Sequence, residues 1–138
     1  MKVFLDANIL VSVLNKEYPV FTYSSRVLSL AEDPKYKIYT SPICLAIAFY
    51  FAEKKTSTLA ARQKINLLAQ KLHFTSVGPK AVEDVIKNKL VHDIEDGLQY
   101  YSALESGCKY IVTEDLSDFY FSEIEVLTSR SFFENYIV

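Results

Sequence analysis

Short apolar runs alternate along the chain with longer amphipathic segments. A run of four or five residues rich in Val, Ile, Phe and Tyr is typical of a β-strand that is buried on both faces. Five such runs are predicted as strands: residues 2–6, 36–40, 73–77, 109–113 and 124–128. Because helical segments separate them, the pattern predicts a three-layer α/β/α fold with a parallel sheet.

The segments between the strands carry apolar residues at helical spacing. Four of them are predicted as helices: residues 23–32, 41–55, 57–72 and 94–107. We expect Ser57 or Thr58 to cap the third helix and Gly107 to end the fourth. Two consecutive helices lie between the second and third strands, so we expect this helical hairpin to project from the sheet.

Composition indicates one globular domain spanning residues 1–138. Half of the residues are apolar, and there are only 3 Gly and 4 Pro, with no repeat or linker-like stretch. The two cysteines have no metal-binding or redox spacing and are predicted to be reduced thiols of a cytoplasmic protein. No signal peptide is apparent, and the longest apolar run, residues 43–52, is too short to cross a membrane.

Charge is distributed unevenly, although the net charge of −2 excludes a global positive field. Residues 54–82 contain six basic and no acidic residues, whereas residues 83–138 contain twelve acidic and four basic residues. This asymmetry is consistent with separate basic and acidic surfaces, or with a chance placement of solvated lysines.

Acidic and polar residues follow two of the predicted strands. Asp6 ends the first strand, and Thr113, Asp115 and Asp118 follow the fourth; Asp96 lies near the start of the helix that leads into the fourth strand. In an open parallel sheet, ligands bind at the carboxyl edge. These residues converge there if the first and fourth strands are neighbours.

Clustered carboxylates repel one another unless a cation lies between them, and Mg²⁺ and Mn²⁺ prefer such oxygen ligands. The corresponding chemistry is phosphodiester hydrolysis, which needs neither His73 nor His92 as a base. A structural interpretation stays open for each acid. Asp6 and Asp93 suit helix N-caps, and Asp115 and Asp118 suit a turn.

Two stretches in particular, FLDANILVSVL (4–14) and IEDGLQYYSALESGCKYIVTEDLSDF (94–119), resemble the PIN-domain family and its bacterial toxin-type (VapC-like) ribonucleases. The resemblance runs from residue 2 to about residue 134. It implies a five-stranded parallel sheet in the order 3-2-1-4-5 and ribonuclease activity that depends on Mg²⁺ or Mn²⁺. It also implies a homodimer and a cognate antitoxin protein as partner.

The resemblance also assigns roles to individual residues. Asp6, Asp96 and Asp118 are the expected metal ligands and, with Asp115, the expected catalytic acids. The expected supporting residues are Asn8, Asp93 and Thr113. The charge pattern, rather than the resemblance, indicates the residues expected to steer RNA phosphates: Lys54, Lys55, Arg62 and Lys64 of the helical hairpin.

One position departs from the family pattern. Ile47 stands in SPICLAIAF (41–49) where the family carries a glutamate, so one of four expected acids is missing. Glu53 lies six residues further on and falls on a different helix face. Glu114 has the right charge, but strand alternation points it away from Thr113 and Asp115.

Three functional hypotheses follow. The first is a metal-dependent ribonuclease with a weakened site, and the second is a non-catalytic RNA- or protein-binding module of the same fold. The third is an aspartyl-phosphate enzyme, which is disfavoured because Asn8 replaces the second acid and Lys109 lies at the wrong end of a strand.

Overall fold

The computed structural model describes residues 1–137, and one parallel sheet organises them. The strand order is β3-β2-β1-β4-β5, which confirms the predicted order. The strands are β1 (Lys2–Leu5), β2 (Lys37–Thr40), β3 (His73–Phe74), β4 (Tyr110–Val112) and β5 (Glu125–Leu127). Each lies inside its predicted run, and β3 is shorter than predicted.

Helices cover both faces of this sheet. The α-helices are α1 (Ala7–Leu14), α2 (Val20–Ser29), α3 (Pro42–Lys55), α4 (Thr58–Lys71), α5 (Pro79–Lys87), α6 (Ile94–Glu105) and α7 (Ser129–Phe132). Short 3₁₀ segments occupy Leu30–Glu32 and Leu116–Phe119, and a π-helical turn occupies Phe133–Ile137. Helix α5 was not predicted. It begins with a proline in its first turn, a position that favours helix initiation.

Strand β1 lies at the centre of the sheet and of the core. Val3, Phe4 and Leu5 are fully buried, as expected for a strand covered on both faces. β1 pairs in parallel with β2 on one side and with β4 on the other. The backbone N–H of Asp6 continues the pairing by donating to the carbonyl of Val112 at 3.0 Å. The carboxyl ends of β1 and β4 are therefore adjacent.

The hairpin of α3 and α4 forms as predicted. Ser41 caps α3 by accepting from the N–H of Cys44, and Ser57 caps α4 by accepting from the N–H of Ala60.

Gly107 follows the carboxyl end of α6 and ends this helix, as predicted. Its φ is +83°, a left-handed conformation that glycine tolerates.

Among residues 1–137, no helix is both long and apolar enough to cross a membrane. Cys44 and Cys108 are buried free thiols.

Candidate functional site

Asp6 lies where β1 ends and α1 begins, and its side chain is only 9% exposed. One carboxylate oxygen, Oδ1, accepts from the N–H of Ala7 at 2.8 Å, so Asp6 is the N-cap of α1. The same oxygen lies 3.8 Å from the thiol Sγ of Cys44, which donates to it. The other oxygen, Oδ2, accepts from the Thr113 hydroxyl at 2.9 Å. The side chain is held at both oxygens.

Thr113, at the end of β4, connects the two strand ends. Its hydroxyl oxygen accepts from Asn8 Nδ2 at 3.0 Å and from the N–H of Asp115 at 3.1 Å, while its proton goes to Asp6. Asn8 Oδ1 in turn accepts from the N–H of Glu114 at 3.1 Å. Asn8 and Thr113 therefore orient Asp6 and the loop after β4.

Asp96 lies in the first turn of α6, and Asp93 caps that helix. Asp93 Oδ1 accepts from the N–H groups of Glu95 and Asp96 at 2.9 and 3.3 Å. A carboxylate at this end also interacts favourably with the positive end of the helix dipole. The capping interpretation of Asp93 is thus confirmed, and the cap sets the position of Asp96.

The 3₁₀ segment after β4 carries Asp118, and Asp115 precedes it. Asp115 is exposed and accepts from the Ser117 hydroxyl at 2.9 Å. The carboxylate of Glu114 points to the opposite side, where it accepts from the N–H and the hydroxyl of Ser129 at the start of α7. The prediction that Glu114 faces away from the other acids is confirmed.

A cavity of about 360 Å³ opens beside these residues at the carboxyl edge of the sheet. Its acidic side consists of Asp6, Glu17, Glu95, Asp96 and Asp118, with Asn8 next to them. Asp6, Asn8, Asp96 and Asp118 were expected here, whereas Glu17 and Glu95 were not. The position of Glu95 could have been inferred, because the Asp93 cap places it in the first turn of α6 beside Asp96. Glu17 could not have been inferred, because it lies in the loop after α1, whose path the sequence does not reveal.

Burial and mutual repulsion raise the pKa of four of these carboxyl groups. For Asp96 the pKa rises to about 7, first because of burial and then because of Asp118, Asp93, Asp6 and Glu95. The pKa values of Asp6, Asp118 and Glu95 are also raised, in each case chiefly by burial. The site therefore favours any process that neutralises negative charge, such as protonation or cation binding.

An apolar wall, formed by Ala7 and Val11 of α1 and Ile47 and Phe51 of α3, completes the cavity. Ile47 is thus at the site, but it contributes no oxygen. Glu53 accepts instead from the Thr58 hydroxyl at 2.8 Å and is not among the residues that line the cavity.

Mg²⁺ and Mn²⁺ require hard oxygen ligands, which the carboxylates of this cavity offer. Carboxylate oxygens with raised pKa values match a hard divalent cation in charge and chemistry. However, among residues 1–137 no group of three or more Asp, Glu, His or Cys side chains lies close enough together to hold a metal ion by itself. An ion bound here would therefore keep much of its water shell, as Mg²⁺ usually does.

The four basic residues that are predicted to steer RNA do not share one environment. The ammonium groups of Lys55 and Lys64 donate to the carbonyls of Asn15 and Leu14, at 2.6 and 3.1 Å, and so cover the carboxyl end of α1. Lys54 lies 4.6 Å from the ring centroid of Tyr50, and Arg62 is exposed.

Comparisons with known proteins agree with this geometry. Residues 2–117 match the family model described as a PIN domain. Ribonuclease VapC1 of Aquifex aeolicus is 30% identical to this chain over 138 residues, which cover 98% of this chain and 95% of the relative.

Three solved structures share the fold. VapBC-1 from nontypeable Haemophilus influenzae superposes with a TM-score of 0.69 at 16% identity, covering 94% of this chain and 99% of that one. VapBC2 from Rickettsia felis, bound to a DNA fragment from their promoter, gives 0.67 at 20% identity, with 92% and 97% coverage. VapC20 from Mycobacterium tuberculosis, a sarcin–ricin loop cleaving toxin, gives 0.65 at 14% identity, with 89% and 98% coverage.

Three findings agree with one another. The family model matches most of the sequence, ribonuclease VapC1 is 30% identical over nearly the whole chain, and the sheet has the strand order expected of the family. The chain belongs to the PIN-domain family.

Proposed function

We propose that the protein is a ribonuclease that hydrolyses RNA phosphodiester bonds with Mg²⁺ or Mn²⁺, and that it is the toxin of a toxin–antitoxin pair. The observation that carries the proposal is the shared cavity of Asp6, Asp96 and Asp118, which come from three separate elements. The similarity to ribonuclease VapC1 supports the choice of RNA as substrate.

In this proposal Asp6, Asp96 and Asp118 hold the metal ion. When bound, the ion supplies an activated water and neutralises charge on the phosphate oxygens. Asp96 carries a proton in part of the ion-free molecules near neutral pH, because its pKa is raised to about 7, and it releases this proton when a cation enters. Asn8 and Thr113 keep Asp6 oriented, and Asp115 supports the loop through its N–H bond to Thr113.

The direct test is cleavage of single-stranded RNA and tRNA with Mn²⁺ or Mg²⁺ by the wild type, Asp6→Asn and Asp96→Asn. These amides keep side-chain size but remove the charge, so we expect cleavage to fall by about 100-fold or more, in line with the loss of a metal-assisted step. Asp84→Asn, which removes a surface acid paired with Lys80, serves as the control and leaves cleavage unchanged. Equal residual activity in the wild type and the two site variants would refute the assignment.

Ile47 favours a second candidate, a PIN-fold module that binds RNA or protein without catalysis. Because the Ile47 side chain offers no oxygen to a cation, this site has fewer anionic ligands than the corresponding site of its relatives is expected to have.

Ile47→Glu separates the two candidates. If the site is weakened but catalytic, the added carboxylate tightens Mn²⁺ binding in calorimetry and raises cleavage by about tenfold. If the fold serves binding alone, RNA affinity is insensitive to metal and Ile47→Glu confers no cleavage.

The remaining predicted partners belong to the same proposal. A cognate antitoxin covers the site in the inactive complex, and the toxin forms a homodimer. Lys54 and Arg62 contribute to RNA steering from the exposed hairpin, and Lys55 and Lys64 do so through the positive charge that they add beside α1.

A further inference from the structure

The apolar wall of the cavity has no role in holding a cation. Its four residues, Ala7, Val11, Ile47 and Phe51, lie in the same cavity as the acids that are proposed to hold the ion. Val11 and Ile47 are partly buried and pack on the core, whereas Phe51 is 46% exposed. A large aromatic side chain left this accessible next to a polar site marks a place where a ligand with an apolar face can bind.

The wall is held by contacts outside the acidic cluster. Ile47 and Phe51 lie four residues apart on α3 and therefore on one helix face. The carbonyl of Phe51 accepts from Asn15 Nδ2 at 3.5 Å, and Lys55 donates to the carbonyl of Asn15 at 2.6 Å. These bonds join α3 to the carboxyl end of α1, so that the ring is presented from a fixed backbone.

An aromatic and cationic strip continues from the wall along α3. The Tyr50 and Phe51 rings meet edge to face, with centroids 5.4 Å apart, and Tyr50 is 49% exposed. The ammonium group of Lys54 lies 4.6 Å from the Tyr50 centroid. Exposed aromatic rings beside a cation are the combination with which proteins bind single-stranded nucleic acid, through base stacking and phosphate contact.

We propose that the apolar wall, with Phe51 at its centre, binds the base of the nucleotide that flanks the phosphate to be cleaved. This inference rests on the proposed ribonuclease function and assigns the subsite next to its acids. A phosphate held at the acidic side through the proposed cation would place a neighbouring base against the wall, and Lys54 would contact a phosphate further along the strand. Because the wall consists of carbon atoms, it recognises the face of a base and tolerates all four bases.

The experiment compares two short single-stranded RNAs of equal length and charge, one of mixed sequence and one with abasic ribose throughout. Binding is measured by fluorescence anisotropy with Mn²⁺ in the Asp96→Asn background, in which cleavage is expected to be about 100-fold slower. We expect Phe51→Ala to weaken binding of the mixed-sequence RNA about tenfold, the effect of removing one stacking platform. The same substitution leaves the weaker binding of the abasic RNA unchanged, because no stacking remains to be lost.

Two further variants control for structure. Phe51→Trp keeps an aromatic face and retains base-dependent binding. Ile86→Ala truncates an exposed apolar side chain on α5 and changes the affinity for neither the mixed-sequence nor the abasic RNA. In the background with intact acids, Phe51→Ala raises KM and leaves the pH profile of cleavage unchanged.

The subsite is overturned if Phe51→Ala weakens both RNAs equally or weakens neither while the wild type still cleaves RNA. It is likewise overturned if the substitution leaves RNA binding unchanged and weakens only the binding of a protein partner, since the wall then belongs to a protein interface. If the wild type neither binds nor cleaves RNA, the ribonuclease proposal fails as well, so the two failures are distinguishable.

Discussion

At the scale of single residues, Asp6 is a helix cap whose geometry also leaves room for the proposed role as a metal ligand. It caps α1 through Oδ1 and receives the Thr113 hydroxyl at Oδ2. A carboxylate oxygen has more than one acceptor site, so a helix cap does not prevent metal binding. Asp96 differs from Asp6 because hydrogen bonds from Ala7, Thr113 and Cys44 oppose the rise in the pKa of Asp6, whereas burial and four neighbouring acids all raise the pKa of Asp96.

The raised pKa of Asp96 leads to a prediction on stability. The pKa is about 7 in the folded protein and about 3.9 in an unfolded chain, so the folded state binds the proton more tightly. In EDTA the free energy of unfolding therefore falls as the pH rises from about 4 to about 7. We expect Asp96→Asn to be more stable than the wild type by about 1 kcal/mol at about pH 8, after allowance for solvent screening of this partly exposed group.

Urea denaturation at several pH values measures this difference. Glu32→Gln, at an exposed site 3.8 Å from Lys71, is the control and gives a difference that varies little with pH. A gap between Asp96→Asn and wild type that stays constant from acid to alkaline pH would contradict the raised pKa.

At the scale of elements, the start of α6 links helix stability to the site. Asp93 satisfies two N–H groups of the first turn, and one of them belongs to Asp96. The cap thereby sets the direction in which α6 presents Glu95 and Asp96 to the cavity. A local capping interaction has a consequence at the candidate active site.

Substitution of Asp93 separates these effects. We expect Asp93→Ala to lower the free energy of unfolding by about 1 kcal/mol, because the cap is lost, and to reduce cleavage. Asp93→Asn keeps the acceptor oxygen and retains most of the stability. Ser57→Ala removes the cap of α4 and serves as the matched control, with a similar loss of stability but normal cleavage. Equal effects of the two alanine variants on cleavage would show that the Asp93 cap has no special role.

At the scale of the whole molecule, the sheet order brings the acids together. β1 and β4 are central neighbours, and their carboxyl ends place Asp6 beside the loop that carries Asp118. The repulsion within this cluster opposes folding when no cation is present. The proposed cation, if bound at this cluster, would therefore stabilise the entire fold.

This coupling predicts that Mn²⁺ raises the thermal unfolding midpoint. At a free Mn²⁺ concentration about 100 times Kd, the stabilisation is about 2.7 kcal/mol. Asp6→Asn loses most of the effect, and NaCl at equal ionic strength serves as the control for screening. A midpoint that responds equally to Mn²⁺ in the wild type and Asp6→Asn would show that the ion binds elsewhere.

The sequence by itself determined the architecture and most of the acidic site. Apolar strand runs between amphipathic helices require a parallel sheet, and resemblance to the PIN family supplied its order. Asp6, Asp96 and Asp118 could be predicted as neighbours because the carboxyl ends of parallel strands share one edge. Helix α5 was missed, and β3 proved shorter than its apolar run.

Only the tertiary structure decided which side chains share the cavity and which serve the framework. Glu17 enters from a loop, and Phe51 is brought to the site by the packing of α3 on α1. Lys55 and Lys64, whose charges predicted an RNA surface, also bind the carbonyls at the end of α1. The physical reason is that strand and helix periodicity is local, whereas side-chain environments depend on contacts between segments distant in the chain.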